Sequence, residues 1–168
     1  MNNRKPTRLT EYDYSKNGAY VITICTKDKA KILSDVCRGG VLLRPLGNIV
    51  ENELLDLEKR YNVIIDKYCI MPNHIHLIIF INGLNREEQS PSPTGSDIIC
   101  TFKSITIKKI NLFEKVKARQ ISQRSFFDHI IRNEQDLFNE RRHIEENPIK
   151  LKILSELKKL KFDFSYIG

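Results

Sequence analysis

Four segments of the chain have the hydrophobic pattern of β-strands. They are rich in β-branched and aromatic residues, and turn-forming residues interrupt the pattern between them. The predicted strands span 19–26, 63–71, 74–81 and 125–131. Pro72-Asn73 is so short a connection that the second and third strands should pair antiparallel as a hairpin. A further short extended piece is predicted at 41–44, after a turn at Gly39-Gly40.

Three other segments have the three-to-four-residue apolar spacing of amphipathic helices. Their predicted bounds are 45–62, 97–113 and 134–146. Asp97 is the predicted cap of the second helix, and Asn147-Pro148 is expected to stop or kink the third. The order of elements predicts an α+β fold, a ferredoxin-like βαββαβ antiparallel sheet with an extra C-terminal helix. That last helix should pack across the open face of the sheet.

A loop and a basic tail complete this organisation. The loop, at about 83–96, contains a Ser-Pro-Ser-Pro-Thr-Gly-Ser stretch without periodicity and is expected to be mobile. Residues 149–168 combine repeated lysines with leucines at helical spacing, which predicts a short basic amphipathic helix followed by an aromatic end. We therefore predict one domain at 1–151 and a basic C-terminal tail at 152–168.

Charge and hydropathy narrow the class of protein. The 168 residues include 28 Lys and Arg against 21 Asp and Glu, a net charge of +7 that favours polyanionic partners, nucleic acid first. No apolar run approaches the roughly 20 residues of a membrane span. The first residues lack the apolar segment of a secretory signal, so a cytoplasmic protein without membrane contact is expected.

Two histidines on the third predicted strand suggest a metal site. His74 and His76 are two residues apart, so their side chains project from the same face of a strand. Imidazole binds many divalent metals, and two ligands at a fixed spacing lower the entropic cost of binding. The alternative is a pair of ordinary half-exposed histidines.

The last predicted helix carries a polar stripe that could complete such a site. The stripe repeats at helical spacing and consists of Asp136, Glu140, His143 and Asn147. Facing a sheet that carries two histidines, it would add an imidazole and an amide to the same place. The alternative is a solvated helix face.

At this point several segments resemble a known family. Met71-Pro72-Asn73-His74-Ile75-His76 is similar to the signature of the HUH single-strand transposases, in the REP-associated tyrosine transposase branch. Other similar segments follow in the same order along the chain, at 18–26, 102–104, 123–132 and 144–148. The resemblance covers about residues 10 to 150.

The resemblance implies a ferredoxin-like nuclease that binds single-stranded or hairpin DNA and carries its catalytic residue on the last helix. It implies that His74, His76 and Asn147 hold Mg²⁺ or Mn²⁺, which polarises the scissile phosphate. In the family, a tyrosine one helical turn before the third ligand attacks the phosphorus. The products are a 5′-phosphotyrosine and a free 3′-hydroxyl, so the strand can later be rejoined.

This chain departs from the family at the nucleophile. The family motif reads Tyr-Ile-x-x-Asn-Pro, and here it reads His143-Ile144-Glu145-Glu146-Asn147-Pro148. Three alternatives follow. The protein keeps metal and DNA binding without covalent cleavage; or His143 acts as nucleophile or as a base for water; or another tyrosine such as Tyr166 enters the site, or His143 joins the metal ligands. A non-catalytic DNA-binding regulator is the alternative function.

Basic residues of the C-terminal half are the predicted DNA contacts, because phosphate neutralisation dominates affinity for nucleic acid. Lys103 and Ser104 match a family segment on the second helix. Arg124, Arg132 and Arg142 lie near the fourth strand and the last helix. Dimers and monomers both occur in this broad group, so a homodimer is left open.

Overall fold

The structure, a computed structural model, describes residues 18–37, 40–81 and 93–164. The strands are β1 (Gly18–Cys25), β2 (Ser34–Cys37), β3 (Gly40–Leu43), β4 (Val63–Met71), β5 (His74–Ile81) and β6 (Phe127–Ile131). The helices are α1 (Pro45–Arg60), α2 (Gly95–Phe113) and α3 (Glu134–Phe164). None of the described helices is both long and apolar enough to cross a membrane.

A four-stranded sheet forms the centre of the fold. Its strand order is β4-β5-β1-β6, and every neighbouring pair is antiparallel. This is the order expected for βαββαβ connectivity, in which the first strand lies between the third and the fourth. The predicted α+β, ferredoxin-like fold is confirmed.

The two faces of the sheet are covered by different helices. On one face, α1 and α2 bury the main core, which includes Ile22, Leu54, Leu77 and Phe102. On the other face, a smaller cluster joins Val21 of β1, Ile78 of β5 and Ile144 of α3. Because neighbouring strand residues point to opposite faces, Ile78 and Leu77 divide between the two clusters. The extra helix therefore packs on the open face, as predicted.

The predicted end of the last helix near Glu146 is wrong, because α3 continues through Pro148 to Phe164. A proline removes one backbone N–H, and here a side-chain ion pair spans the turn on each side of Pro148. Glu146 accepts from Arg142 one turn earlier, at 2.5 Å, and from Lys150 one turn later, at 2.9 Å. The later turns also contact β2 and β3. The predicted division at 151/152 lies inside this helix.

One further local prediction is confirmed and another is corrected. The extended piece at 41–44 is the second half of a hairpin in which β2 pairs with β3, starting at Gly40 with its φ of 120°. Asp97 is not the cap of α2. Thr94 is the cap: its Oγ1 accepts from the Asp97 N–H at 3.3 Å, while the Asp97 carboxylate accepts from the Thr94 N–H at 2.9 Å. The rest of the predicted mobile loop, 83–92, lies outside the described residues.

Candidate metal and nucleic-acid site

The two histidines of β5 lie on the sheet face that α3 covers. Ile75 and Leu77 of β5 belong to the main core. His74 and His76 alternate with them along the strand, so both share the opposite side of the sheet with Ile78. Their ring centroids are 4.7 Å apart and the rings meet edge to face. Both side chains are partly buried. The strand thus presents two imidazoles together beneath the helix, as the sequence predicts.

Hydrogen bonds orient both rings through the same nitrogen. His74 Nδ1 lies 2.8 Å from Asn73 Oδ1, and His76 Nδ1 lies 3.0 Å from Thr23 Oγ1 of its cross-strand partner. An amide oxygen only accepts, so His74 Nδ1 donates and its Nε2 keeps a free lone pair when the ring is neutral. A partner on the second nitrogen is the usual way in which proteins orient a metal-binding histidine.

The surroundings favour the neutral form of both histidines. Burial lowers the pKa of His76 to about 4, and repulsion from His74 and His143 adds to this effect. Burial also lowers the pKa of His74, again with a contribution from His143. A histidine binds metal only when it is deprotonated. Both rings are therefore in their metal-binding form at neutral pH.

This lowered pKa predicts a pH dependence of stability for the metal-free protein. The ordinary value is 6.5 and the folded value of His76 is about 4, so between them the unfolded chain binds more protons. Stability should therefore fall as the pH drops from 6.5 towards 4, by up to about 1.4 kcal/mol per pH unit for this residue. Urea unfolding in EDTA at several pH values measures the slope. His76→Gln should flatten it, and an unchanged slope would contradict the assignment.

His143 of α3 lies against the histidine pair. Its ring centroid is 5.5 Å from that of His76, and the two rings are nearly perpendicular. Its side chain is exposed, so it can meet a ligand from solvent. Asn147 follows one helical turn later on the same side of α3 and is partly buried. Three imidazoles thus lie near one another, and Asn147 lies on the same side of α3 as His143. Neutral nitrogen and oxygen donors of these kinds suit a divalent metal ion.

Two ion pairs fix α3 on the sheet. Arg141 Nε donates to Asp66 Oδ2 of β4 at 2.7 Å, and Glu145 pairs with Lys67. Adjacent strand residues normally point to opposite faces, but a β-bulge between Ile65 and Lys67 lets both partners reach the helix. The position of the helix histidine relative to β5 is therefore held from both sides of its turn.

The predicted DNA contacts divide into two groups. Arg124, Arg132 and Arg142 are exposed, and the last two lie at the start of α3 and beside His143. Ser104 is exposed on α2, the helix that covers the opposite face of the sheet from the histidines, so the structure does not bring it to them.

Lys103 has a structural position that its sequence match did not suggest. The residue is only 9% exposed, and its Nζ donates to the carbonyls of Gln123 and Arg124, both at 2.7 Å. Burial lowers the pKa of this ammonium group. Lys103 therefore holds the segment that leads into β6, with its Nζ donors on backbone carbonyls, and its phosphate contact stays a prediction.

Sequence reasoning missed two residues of the site, Thr23 and Asn73. Asn73 could have been found, because it directly precedes His74 and carries a side-chain oxygen. Thr23 could not have been found so easily. Its role depends on the β1–β5 register, which pairs it with His76.

Comparison with known proteins places this geometry in context. No protein-family model matches the chain. A protein of uncharacterised function from Haemophilus influenzae is 29% identical over 168 residues, covering 89% of this chain and 90% of the relative. An inferred REP-associated tyrosine transposase from the same organism is 24% identical over 149 residues, covering 82% of this chain and 74% of the relative.

Solved structures share the fold. The structure of a REP-associated tyrosine transposase bound to a REP hairpin superposes with a TM-score of 0.56 at 20% identity, covering 84% of this chain and 74% of that one. An inferred transposase from Deinococcus radiodurans R1 has a TM-score of 0.51 at 14% identity, covering 83% of this chain and 95% of that one. The resemblance noted in the motifs is therefore confirmed in sequence and in fold.

Proposed function

We propose that this chain is a member of the REP-associated branch of the HUH transposases. It binds single-stranded or hairpin DNA on the face of the sheet that α3 covers, and His74, His76 and Asn147 hold Mg²⁺ or Mn²⁺ there. The observation that carries the proposal is the pair of oriented, neutral imidazoles beneath the helix that bears His143. A solved relative is bound to a REP hairpin, which supports hairpin DNA as the ligand class. A DNA ligand also suits the cytoplasmic location expected from the sequence.

The residues of the proposed site would have separate roles in phosphoryl transfer. The bound metal ion would polarise the scissile phosphate and neutralise charge in the transition state. Exposed Arg132 and Arg142 would neutralise the flanking phosphates and hold the strand across the helix. His143 stands where the family has its nucleophile. Attack by its imidazole nitrogen would form a phosphorus–nitrogen bond, break the P–O3′ bond and release a 3′-hydroxyl, which could later reverse the step.

The imidazole at position 143 also favours a second candidate function. Without the family tyrosine, a protein that keeps the fold, the metal ligands and the basic residues can bind its DNA and leave it intact. It would then act as a non-catalytic regulator derived from a transposase. The two functions differ in their products and not in their ligand.

A denaturing-gel assay separates these functions. End-labelled hairpin and single-stranded DNA is incubated with the full chain in Mg²⁺, Mn²⁺ or EDTA, beside the variant His74→Ala, His76→Ala. Metal-dependent cuts that the variant loses support strand transfer at this site. Binding without cuts supports the regulator. Absence of both binding and cutting would overturn the proposal.

His143→Tyr tests whether the nucleophile is the only altered part of the site. We expect this variant to form a covalent adduct with hairpin DNA labelled at its 3′ end in Mn²⁺, seen as label migrating with protein on a denaturing gel, because the protein stays on the fragment that carries the 5′ phosphate. The reason is that the tyrosine hydroxyl would replace an exposed ring already 5.5 Å from His76. His143→Phe is the matched control, because it has the aromatic ring without the hydroxyl. If the tyrosine variant forms no adduct, the remaining site is not competent.

A further inference from the structure

A second group of metal-binding side chains lies beside the histidine pair. It consists of His129 of β6 with Asp136 and Glu140 of α3, and one potential ligand atom from each lies within 4.8 Å of the other two. The group is separate from the first site. His129 is paired with Val21 of β1, whereas His76 is paired with Thr23 from the other side of that strand. The two histidines therefore lie on either side of β1, separated by that strand and offset along it by two residues.

Local structure fixes two members of the group. His129 Nε2 lies 3.2 Å from Asp136 Oδ2, and the same oxygen accepts from the Arg132 N–H at 3.2 Å. The Asp136 N–H donates to Asn133 Oδ1 at 2.8 Å, which caps the start of α3. Asp136 is therefore held in place by contacts that do not require a ligand.

Glu140 is the uncommitted member. It lies one helical turn after Asp136, so the two carboxylates share one side of α3. Its side chain is partly buried, and within the described part of the chain it forms no hydrogen bond or ion pair. Glu140 therefore offers carboxylate oxygens that can accept a ligand next to those of Asp136. The position of Glu140 favours the binding of a cation.

We propose that His129, Asp136 and Glu140 form a second divalent-cation site, distinct from the one at His74 and His76. One imidazole nitrogen and two carboxylate oxygens are a mixed donor set, which suits Mn²⁺ or a similar transition-metal ion. Two carboxylates supply the charge that a divalent ion needs, and three protein ligands leave coordination positions open.

The role of this cation rests on the proposed function. Asp136 and Glu140 continue the side of α3 that carries His143 and Asn147, so they border the surface proposed to bind DNA. Two bare carboxylates there would repel a phosphate backbone. A divalent ion held by His129, Asp136 and Glu140 would neutralise these carboxylates and could accept a phosphate oxygen as a further ligand. The second site would therefore make DNA binding depend on metal even where no bond is cut.

The test is a count of Mn²⁺ ions on the full-length chain. Isothermal titration and electron paramagnetic resonance of bound Mn²⁺ should give two equivalents for the unaltered protein. Glu140→Gln should lose one equivalent, since the amide keeps the shape and removes the charge. Glu134→Gln is the matched control, because Glu134 lies on the same helix, is exposed and is outside the group; it should keep both. Circular dichroism confirms that each variant is folded.

The outcomes separate this inference from the proposed function. If Glu140→Gln still binds two equivalents, the second site is overturned and the His129–Asp136 contact is only part of the helix cap. If the unaltered protein binds only one equivalent of Mn²⁺, and only the His74→Ala, His76→Ala variant loses it, the second site is also overturned. If the His74→Ala, His76→Ala variant still binds one equivalent of Mn²⁺, and Glu140→Gln binds one equivalent fewer than the unaltered protein, the second site is supported independently of the first. Failure of the unaltered protein to bind any Mn²⁺ overturns both.

Discussion

The variant His74→Ala, His76→Ala is expected to bind Mn²⁺ at the histidine pair more than about 100-fold more weakly than the unaltered chain. Both imidazoles are oriented through Nδ1, and burial lowers the pKa of each, so their loss removes two ligands that are already in binding form. Neither ring belongs to the main core, so the fold should persist. Isothermal titration of folded protein measures the loss.

A milder variant makes this prediction specific. Thr23→Val keeps the shape of the side chain and removes the oxygen that lies 3.0 Å from His76 Nδ1. Loss of such an orienting partner weakens metal binding by about 10-fold or more, less than loss of the ligands themselves. If the double alanine variant binds Mn²⁺ at this pair as tightly as the unaltered chain, the histidines are not the ligands. An effect of Thr23→Val equal to that of the double variant would point to disruption of the sheet.

The variant Arg60→Ala, Lys109→Ala is expected to cost about 3–5 kcal/mol of the free energy of unfolding. Glu53 of α1 is completely buried, with its carboxylate bonded to Arg60 of the same helix at 3.0 Å and to Lys109 of α2. Removal of both cations leaves an uncompensated charge between the two helices. The melting temperature of a chain of this size should fall by roughly 10 °C. Thermal and urea unfolding measure the change.

Two controls identify the cause of that loss. Lys108→Ala alters an exposed neighbour in the same helix and should change stability by less than about 0.5 kcal/mol. Adding Glu53→Met to the double variant replaces the stranded charge by an apolar side chain of similar volume and should recover most of the loss. If the triple variant is no more stable than the double variant, packing around the two cations matters more than the buried charge.

Much of this fold can be predicted from the spacing of hydrophobic and polar residues within short segments of the sequence. The strand that carries His74 and His76 has an alternating pattern and follows a short turn, and the helices have clear apolar stripes. The element types and the shared face of the histidines could therefore be predicted. Helical spacing brought out His143 and Asn147 in one polar stripe, and the family motif assigned them roles. These features depend on spacing within a few residues, which a sequence displays directly.

Other features depend on contacts between distant residues and could not be predicted in that way. A proline disfavours continuation of a helix, and yet α3 continues through Pro148. Ion pairs link the turns around this residue, and α3 also contacts β2 and β3. The match to a family segment predicts a phosphate contact for Lys103. In the fold this side chain is buried, and its Nζ donates to carbonyls of the segment before β6. Glu53 is a polar residue of the amphipathic α1 pattern, and the contact with Lys109 of α2 makes it part of a buried ion-pair centre.

The most direct test of the central claim is the affinity of the full chain for three DNA ligands of one sequence, measured by fluorescence anisotropy in Mn²⁺. The ligands are a hairpin with a single-stranded flank, an unpaired oligonucleotide and a fully paired duplex. We expect the first two to bind at least about tenfold more tightly than the duplex at equal salt. Arg132→Ala and Arg142→Ala should weaken both. Equal affinity for the duplex, or no binding of the hairpin, would contradict the account.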